Sequence, residues 1–208
     1  MKQIILNTIT EQIKHESQIE HKGKKDNGIF FTNDLKIIDS ILDIIDFNSG
    51  IFSKKILEPA VGNGIFLLRI IEKVYKVNPT KEMIKFFIEN GIYFIDIDPE
   101  MINKTKKNIS DLYEILFEEK YNGSFNAFVY DFTEKVKNDL TLFSETKNKD
   151  LELLLKSIDY VIGNPPYVTL YGRRDRKRNE LQRTNYLSQY RQFPQGLKNG
   201  KINYVMLF

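Results

Sequence analysis

Lys54-Lys55-Ile56-Leu57-Glu58-Pro59-Ala60-Val61-Gly62-Asn63-Gly64, running on through Ile65 to Val77, is the stretch from which the rest of the chain can be read. Ile56 and Leu57 open a short apolar run that Pro59 closes, because proline has no N–H to give to a sheet ladder. Gly62 and Gly64 permit a tight turn and a close approach of backbone to a ligand. From Ile65 the apolar residues recur at helical spacing until Asn78-Pro79 stops them. The unit predicted is strand, glycine turn, helix.

The same alternation continues downstream. A helical stretch from Lys81 to Glu89 ends at Asn90-Gly91, and Ile92-Tyr93-Phe94-Ile95-Asp96-Ile97-Asp98-Pro99 reads as a second buried strand closed by acids and a proline. A helix is expected from Glu100 to about Glu119, then a third strand in Ala127-Phe128-Val129-Tyr130-Asp131-Phe132. Val136 to Lys156 reads as an amphipathic or partly looped connector, and Ile158-Asp159-Tyr160-Val161-Ile162-Gly163 as a fourth strand. Upstream, Ile29-Phe30-Phe31-Thr32 is a short apolar run. Asn33-Asp34 can cap a helix whose apolar positions are Leu35, Ile37, Ile38, Ile41, Leu42, Ile44 and Ile45. Strands alternating with helices predict an α/β fold, a doubly wound, mostly parallel sheet whose ligand sites lie beyond the carboxyl ends of the strands. Residues 1–27 read as a polar, helical arm, and residues 28–208 as the domain proper.

Composition narrows the chemistry. The 208 residues are 41% hydrophobic and 28% charged, ordinary for a soluble globular chain. No apolar run reaches the ~18 residues of a membrane span. With no signal-peptide pattern and no cysteine, a cytoplasmic location is expected. His15 and His21 are the only histidines, too few for a histidine metal site or a Ser/His/Asp triad, so no metal is expected. The net charge of +3 conceals an asymmetry, because every arginine but Arg69 falls between Arg173 and Arg191. There Arg173, Arg174, Arg176, Lys177, Arg178, Arg183 and Arg191 stand against Asp175 and Glu180. Planar bidentate donors so concentrated suit phosphate, which marks a loop at 171–200 as a candidate phosphate contact, a solvated loop being the alternative on charge alone.

If the strands are parallel, the residues that follow them gather along one edge. Gly62 and Gly64, before a helix N-terminus, could hold a nucleoside-bearing ligand, yet the turn lacks the third glycine of a dinucleotide site and the Lys-Ser/Thr pair of a P-loop. Asp96 ends the second strand where such folds place a carboxylate for ribose hydroxyls. Glu58 beside the turn suits a cation, as the sulfonium and amino group of S-adenosylmethionine are, better than an anionic pyrophosphate. Asp131 could accept from an adenine amine while Phe132 packs on the ring.

Asn164-Pro165-Pro166-Tyr167 is the most specific feature. Its prolines cannot continue a sheet and leave main-chain carbonyls without ladder partners. An exocyclic amine conjugated to a ring is a poor nucleophile, so its methylation needs acceptors on both N–H groups as the nitrogen rehybridises. The Asn164 side-chain oxygen and the Pro165 carbonyl could be those acceptors. Tyr167 offers an aromatic face to a base swung out of the duplex.

On these residues the chain resembles the adenine-N6 DNA methyltransferases of bacterial and archaeal type II restriction-modification systems, the group with an Asn-Pro-Pro-Tyr catalytic motif. Over residues 28–208, Gly28 to Thr32 looks like that family's N-terminal cofactor motif, Leu57 to Phe66 its glycine motif, and Asp96-Ile97-Asp98-Pro99 its ribose motif. Asp131-Phe132 matches its adenine-contacting pair, and Gly200 to Phe208 looks like the start of the helix after the catalytic motif. The resemblance implies a Rossmann-like domain using S-adenosylmethionine, bound by Thr32, Glu58, Ala60, Gly62, Gly64, Asp96, Ile97, Asp131 and Phe132. Asn164, Pro165, Pro166 and Tyr167 would then handle the target adenine, with double-stranded DNA as partner near Arg173, Arg174, Arg176, Lys177 and Arg178. The family continues beyond the point matched by Phe208 into further strands and a target-recognition region, which implies a catalytic portion that works with a C-terminal part or a separate chain. Alternatives left open are another conjugated amine, on cytosine N4, a protein glutamine or an RNA base, and a noncatalytic subunit that supports a partner.

Overall fold

The computed structural model describes residues 2–18, 32–130 and 156–164. In chain order these form α1 (Lys2–Gln18), α2 (Leu35–Leu42), a 3-10 turn (Ser49–Ser53), β1 (Ile56–Glu58), α3 (Ile65–Val77), α4 (Lys81–Asn90), β2 (Ile92–Asp96), α5 (Pro99–Phe117), β3 (Asn126–Val129) and β4 (Tyr160–Val161).

The four strands make one sheet in the order β3-β2-β1-β4, with every neighbouring pair parallel. This is the α/β, Rossmann-like architecture that the alternation of elements predicts. Residues of β1 and β2 are buried almost throughout, as a sheet covered on both faces requires, and they read as runs of Ile, Leu, Tyr and Phe rather than an alternating pattern. The period-2 geometry of strands splits their side chains between two apolar clusters. Ile56, Ile92, Phe94 and Ile162 join the main core under the helices, whereas Leu57, Tyr93 and Ile95 form a second cluster with Phe128, Tyr130 and Ile158.

Register is fixed by polar side chains at the strand starts. The Asp159 carboxylate accepts from the Lys55 backbone N–H at 2.9 Å and from Lys54 Nζ at 2.9 Å, tying the entry to β4 to the entry to β1. Asn126 Nδ2 donates to the carbonyls of Glu89 at 2.8 Å and Ile92 at 3.1 Å, which does the same for β3 beside β2.

α3 lies at the centre of the helical layer and packs against α1, α2, α4 and α5. Ile65, Phe66, Leu67, Leu68, Ile70, Ile71 and Val74 are all buried, too many for a single stripe, because neighbours surround the helix. α5 starts at Pro99 behind Asp98, whose Oδ1 accepts from the Glu100 N–H at 2.8 Å, a side-chain cap followed by proline at the first helical position. Arg69 of α3 holds both carboxylate oxygens of Asp39 on α2, at 2.8 and 2.7 Å, and also pairs with Glu72.

Three sequence expectations change. Residues 1–27 read as an arm, but α1 docks on α3 and α5, with Ile4 and Ile5 in the main core. The segment is polar overall and its apolar residues are split, with Ile4 and Ile5 turned inward and Leu6 and Ile13 exposed. The helix expected from Leu35 to Ile45 ends at Leu42, leaving Ile44 exposed while Ile45 turns back into the core. The third and fourth strands are shorter than the apolar runs that signal them, because pairing rather than hydropathy sets where a ladder stops. Asp131, Phe132, most of the Val136–Lys156 connector and everything from Pro165 onward lie outside the described residues.

Candidate functional site

The order β3-β2-β1-β4 means that the chain steps outward from β1 through β2 to β3 and then returns to the far side of β1. Such a reversal opens a crevice between the carboxyl ends of the two strands that flank it, here β1 and β4. The residues at those ends are Glu58 to Gly64 on one side and Gly163-Asn164 on the other.

The glycine turn is held at several points. Gly62 and Gly64 both have positive φ, 55° and 77°. The Gly64 N–H closes the turn on the Val61 carbonyl at 2.9 Å, and Gly64 is the N-cap of α3 with no side chain to cap it. The first amides of α3 therefore begin at an open end of the turn. The Gly62 N–H donates to Asp96 Oδ2 at 2.9 Å, and the other oxygen of that carboxylate accepts from the Asp98 N–H at 2.9 Å. Asp96 thus joins the turn after β1 to the turn after β2. Burial raises its pKa, an effect partly offset by the amides of Asp98 and Gly62, which stabilise the charged form.

Glu58 is the unusual group. It is 2% exposed, and its Oε2 has no hydrogen-bond partner among the described residues. Loss of solvation drives its pKa well above the usual carboxylate range, and the nearby Asp96 charge pushes in the same direction. Gly163 lies against it: a Cβ on Gly163 would stand 3.4 Å from Glu58 Cγ and 3.8 Å from its Oε1. The space beside Gly163, two residues past β4, is therefore bounded by the buried Glu58 side chain at the end of β1. The Ile162 N–H donates to the Leu57 carbonyl at 2.9 Å, and the half-buried Asn164 follows two residues later.

The remaining predicted residues fall around this centre. Ala60 is half buried between Glu58 and the glycines. Ile97, 66% exposed, presents an apolar side chain directly after Asp96. Thr32 is half buried in the coil that leads into α2. Asp131 and Phe132, Pro165, Pro166 and Tyr167, and the cluster Arg173, Arg174, Arg176, Lys177 and Arg178 lie outside the described residues.

Sequence reasoning misses the two residues that grip the turn from behind. On α5, Thr105 Oγ1 donates to the Gly62 carbonyl at 2.9 Å and Asn108 Nδ2 to the Asn63 carbonyl at 2.9 Å. Their only sequence signal is a pair of polar residues three positions apart, on the face that also carries Ile102, Ile109 and Leu112. Among the described residues no group of His, Cys, Asp and Glu could hold a metal ion, and no helix is long and apolar enough to cross a membrane.

Comparison with known proteins bears on the family and the fold. The model of the Eco57I restriction-modification methylase family matches residues 90–197. The ATP-dependent Type ISP restriction-modification enzyme LlaBIII bound to DNA superposes with a TM-score of 0.60 at 18% identity, over 80% of this chain and 12% of its own. A DrdV–DNA complex superposes with a TM-score of 0.58 at 18% identity, over 83% of this chain and 17% of its own. At such identity the likeness is one of fold, and the chain spans about an eighth to a sixth of the length of the enzymes it matches. No curated protein matches the chain.

Proposed function

We propose, on the premise that the chain belongs to the Eco57I restriction-modification methylase family, that it transfers a methyl group from S-adenosylmethionine to the N6 amine of adenine in DNA. One observation carries the proposal: Gly163, just past the end of β4, lies beside Glu58 at the end of β1, across the reversal of strand order, and Asn164 is the next residue. A cofactor groove and the start of the catalytic tetrapeptide would then share one crevice.

The donor set fits the cofactor. A buried carboxyl with an unpartnered Oε2 is costly unless a cation joins it, and both the sulfonium and the amino group are cationic. The positive-φ turn and the uncapped start of α3 leave room for a ligand to lie on backbone. The Asp96 oxygens, each holding one amide, retain lone pairs for ribose hydroxyls, and Ile97 offers an apolar surface to a base. Thr32, Ala60, Asp131 and Phe132 complete the set by their place in the sequence. When bound, the cofactor supplies an electrophilic methyl group.

The chain's task is then to hold the amine in line with that methyl and to accept its N–H groups. The Asn164 carboxamide oxygen and the Pro165 carbonyl are the acceptors. By their place in the tetrapeptide, Pro166 would assist and Tyr167 would stack on the flipped base. Arg173, Arg174, Arg176, Lys177 and Arg178 would contact the phosphates nearby. DNA and the further domains that read a target sequence are the partners on this reading.

Label transfer tests it. The chain, alone and combined with the protein encoded beside it, is incubated with labelled S-adenosylmethionine and duplex DNA containing or lacking adenine. Methylation of adenine-containing duplex alone is expected. Asn164→Ala should lower it at least ~100-fold, the loss typical when one preorganised transition-state partner is removed. No transfer in any combination, or an Asn164→Ala protein as active as the parent, overturns the proposal.

A further inference from the structure

We infer that Thr105 and Asn108 of α5 are positioning residues for the cofactor turn, which they orient by holding its carbonyls from the side opposite the ligand. The inference rests on the methyltransferase reading above and adds residues outside every motif that supports it.

The argument starts from the planarity of the peptide bond. No cis peptide occurs among the described residues, so each carbonyl in the turn points opposite the N–H of its own peptide unit. Thr105 Oγ1 fixes the Gly62 carbonyl at 2.9 Å, which directs the Asn63 N–H away from α5. Asn108 Nδ2 fixes the Asn63 carbonyl at 2.9 Å, and the N–H of that unit, on Gly64, is thereby aimed at the Val61 carbonyl, 2.9 Å away. From the other side Asp96 Oδ2 takes the Gly62 N–H at 2.9 Å. Two consecutive peptide planes are thus set by side chains, and the glycines that flank them, Gly62 and Gly64, are the residues whose own backbones constrain the turn least.

Thr105 also sets shape. It is fully buried, and a Cβ on Gly64 would fall 2.7 Å from its Cγ2. The side chain occupies the space a larger residue at 64 would need, and Gly64 is required there also by its φ of 77°. Donor and filler are therefore one residue, and two substitutions separate them. Thr105→Val keeps the volume and removes the O–H, while Thr105→Ser keeps the O–H and removes the methyl.

The test measures the dissociation constant for S-adenosylhomocysteine by calorimetry on the full chain, with thermal melting of each variant alongside. Thr105→Val should weaken binding roughly 3- to 10-fold, the loss expected when a turn must be reordered without one of its hydrogen bonds. Thr105→Ser should stay within about twofold of wild type even where its melting temperature falls, a split that a purely structural role would not give. Asn108→Ala, at a half-buried position, is expected to weaken binding in the same direction, and keeps the test decisive should Thr105→Val not fold. Binding by Thr105→Val and Asn108→Ala equal to wild type, or a Thr105→Ser loss as large as that of Thr105→Val, overturns the inference. A wild-type chain that does not bind defeats the cofactor reading, and this inference with it.

Discussion

Two buried carboxyls give this site its pH dependence, Glu58 more strongly than Asp96. Glu58 binds its proton more tightly in the folded chain than in the unfolded one, because burial and the Asp96 charge penalise the ionised form. Stability should therefore fall as pH rises from the ordinary glutamate range through the raised folded value, since over that window only the unfolded chain readily gives up the proton. Glu58→Gln should flatten the decline, and urea midpoints from mildly acid to mildly alkaline solution measure it. An equally steep decline in Glu58→Gln would mean that another group titrates. If a cation binds there, cofactor affinity should rise with pH over the same window in wild type only. Glu58, Asp96 and the glycines can be picked out by eye in the sequence. Their energetics cannot, because burial is a property of neighbours, and the same Glu58 on an exposed strand end would titrate normally.

Between elements, Arg69 ties α2 to α3 beside their shared apolar contacts, with Lys73 Nζ 3.5 Å from the same Asp39. Arg69 spans both oxygens of Asp39 and pairs with Glu72, and this holds the Asp39 carboxyl below its usual range. A bidentate pair at side-chain exposures of 19% and 33% should contribute about 1 kcal/mol, more than most surface pairs and less than a buried one. Arg69→Met, which keeps the buried stem, is expected to lower the unfolding free energy by about that much. The loss should shrink in high salt, and in acid as Asp39 takes up a proton. Chemical denaturation at two salt concentrations checks it, and no salt dependence would show the pair to be inert. The helices themselves were legible: Ile65 to Val77 begins and ends where glycine and Asn-Pro predict. Thr105 and Asn108 were not, because a polar residue facing inward on a helix has meaning only once its partner, a carbonyl 43 to 45 positions earlier, is known.

Over the whole molecule, α1 is part of the core. Ile5 is 2% exposed in the main cluster while its neighbour Leu6 is 53% exposed. Ile5→Ala should cost about 2–4 kcal/mol of unfolding free energy and Leu6→Ala less than ~1, as denaturant midpoints would show. Equal small effects would mean that α1 is not part of the cooperative unit. What the sequence by itself determined is local: which stretches are strands or helices, where glycine and proline interrupt them, and which residue types stand at the strand ends, since backbone preferences and hydropathic period act over a few residues. Tertiary structure alone decided that β4 returns to lie beside β1, that Gly163 packs on Glu58, that Asp96 grips the Gly62 amide, and that α1 closes over α3 and α5. Each of these joins residues far apart in the chain, and pairing, burial and handedness, rather than any local preference, select them.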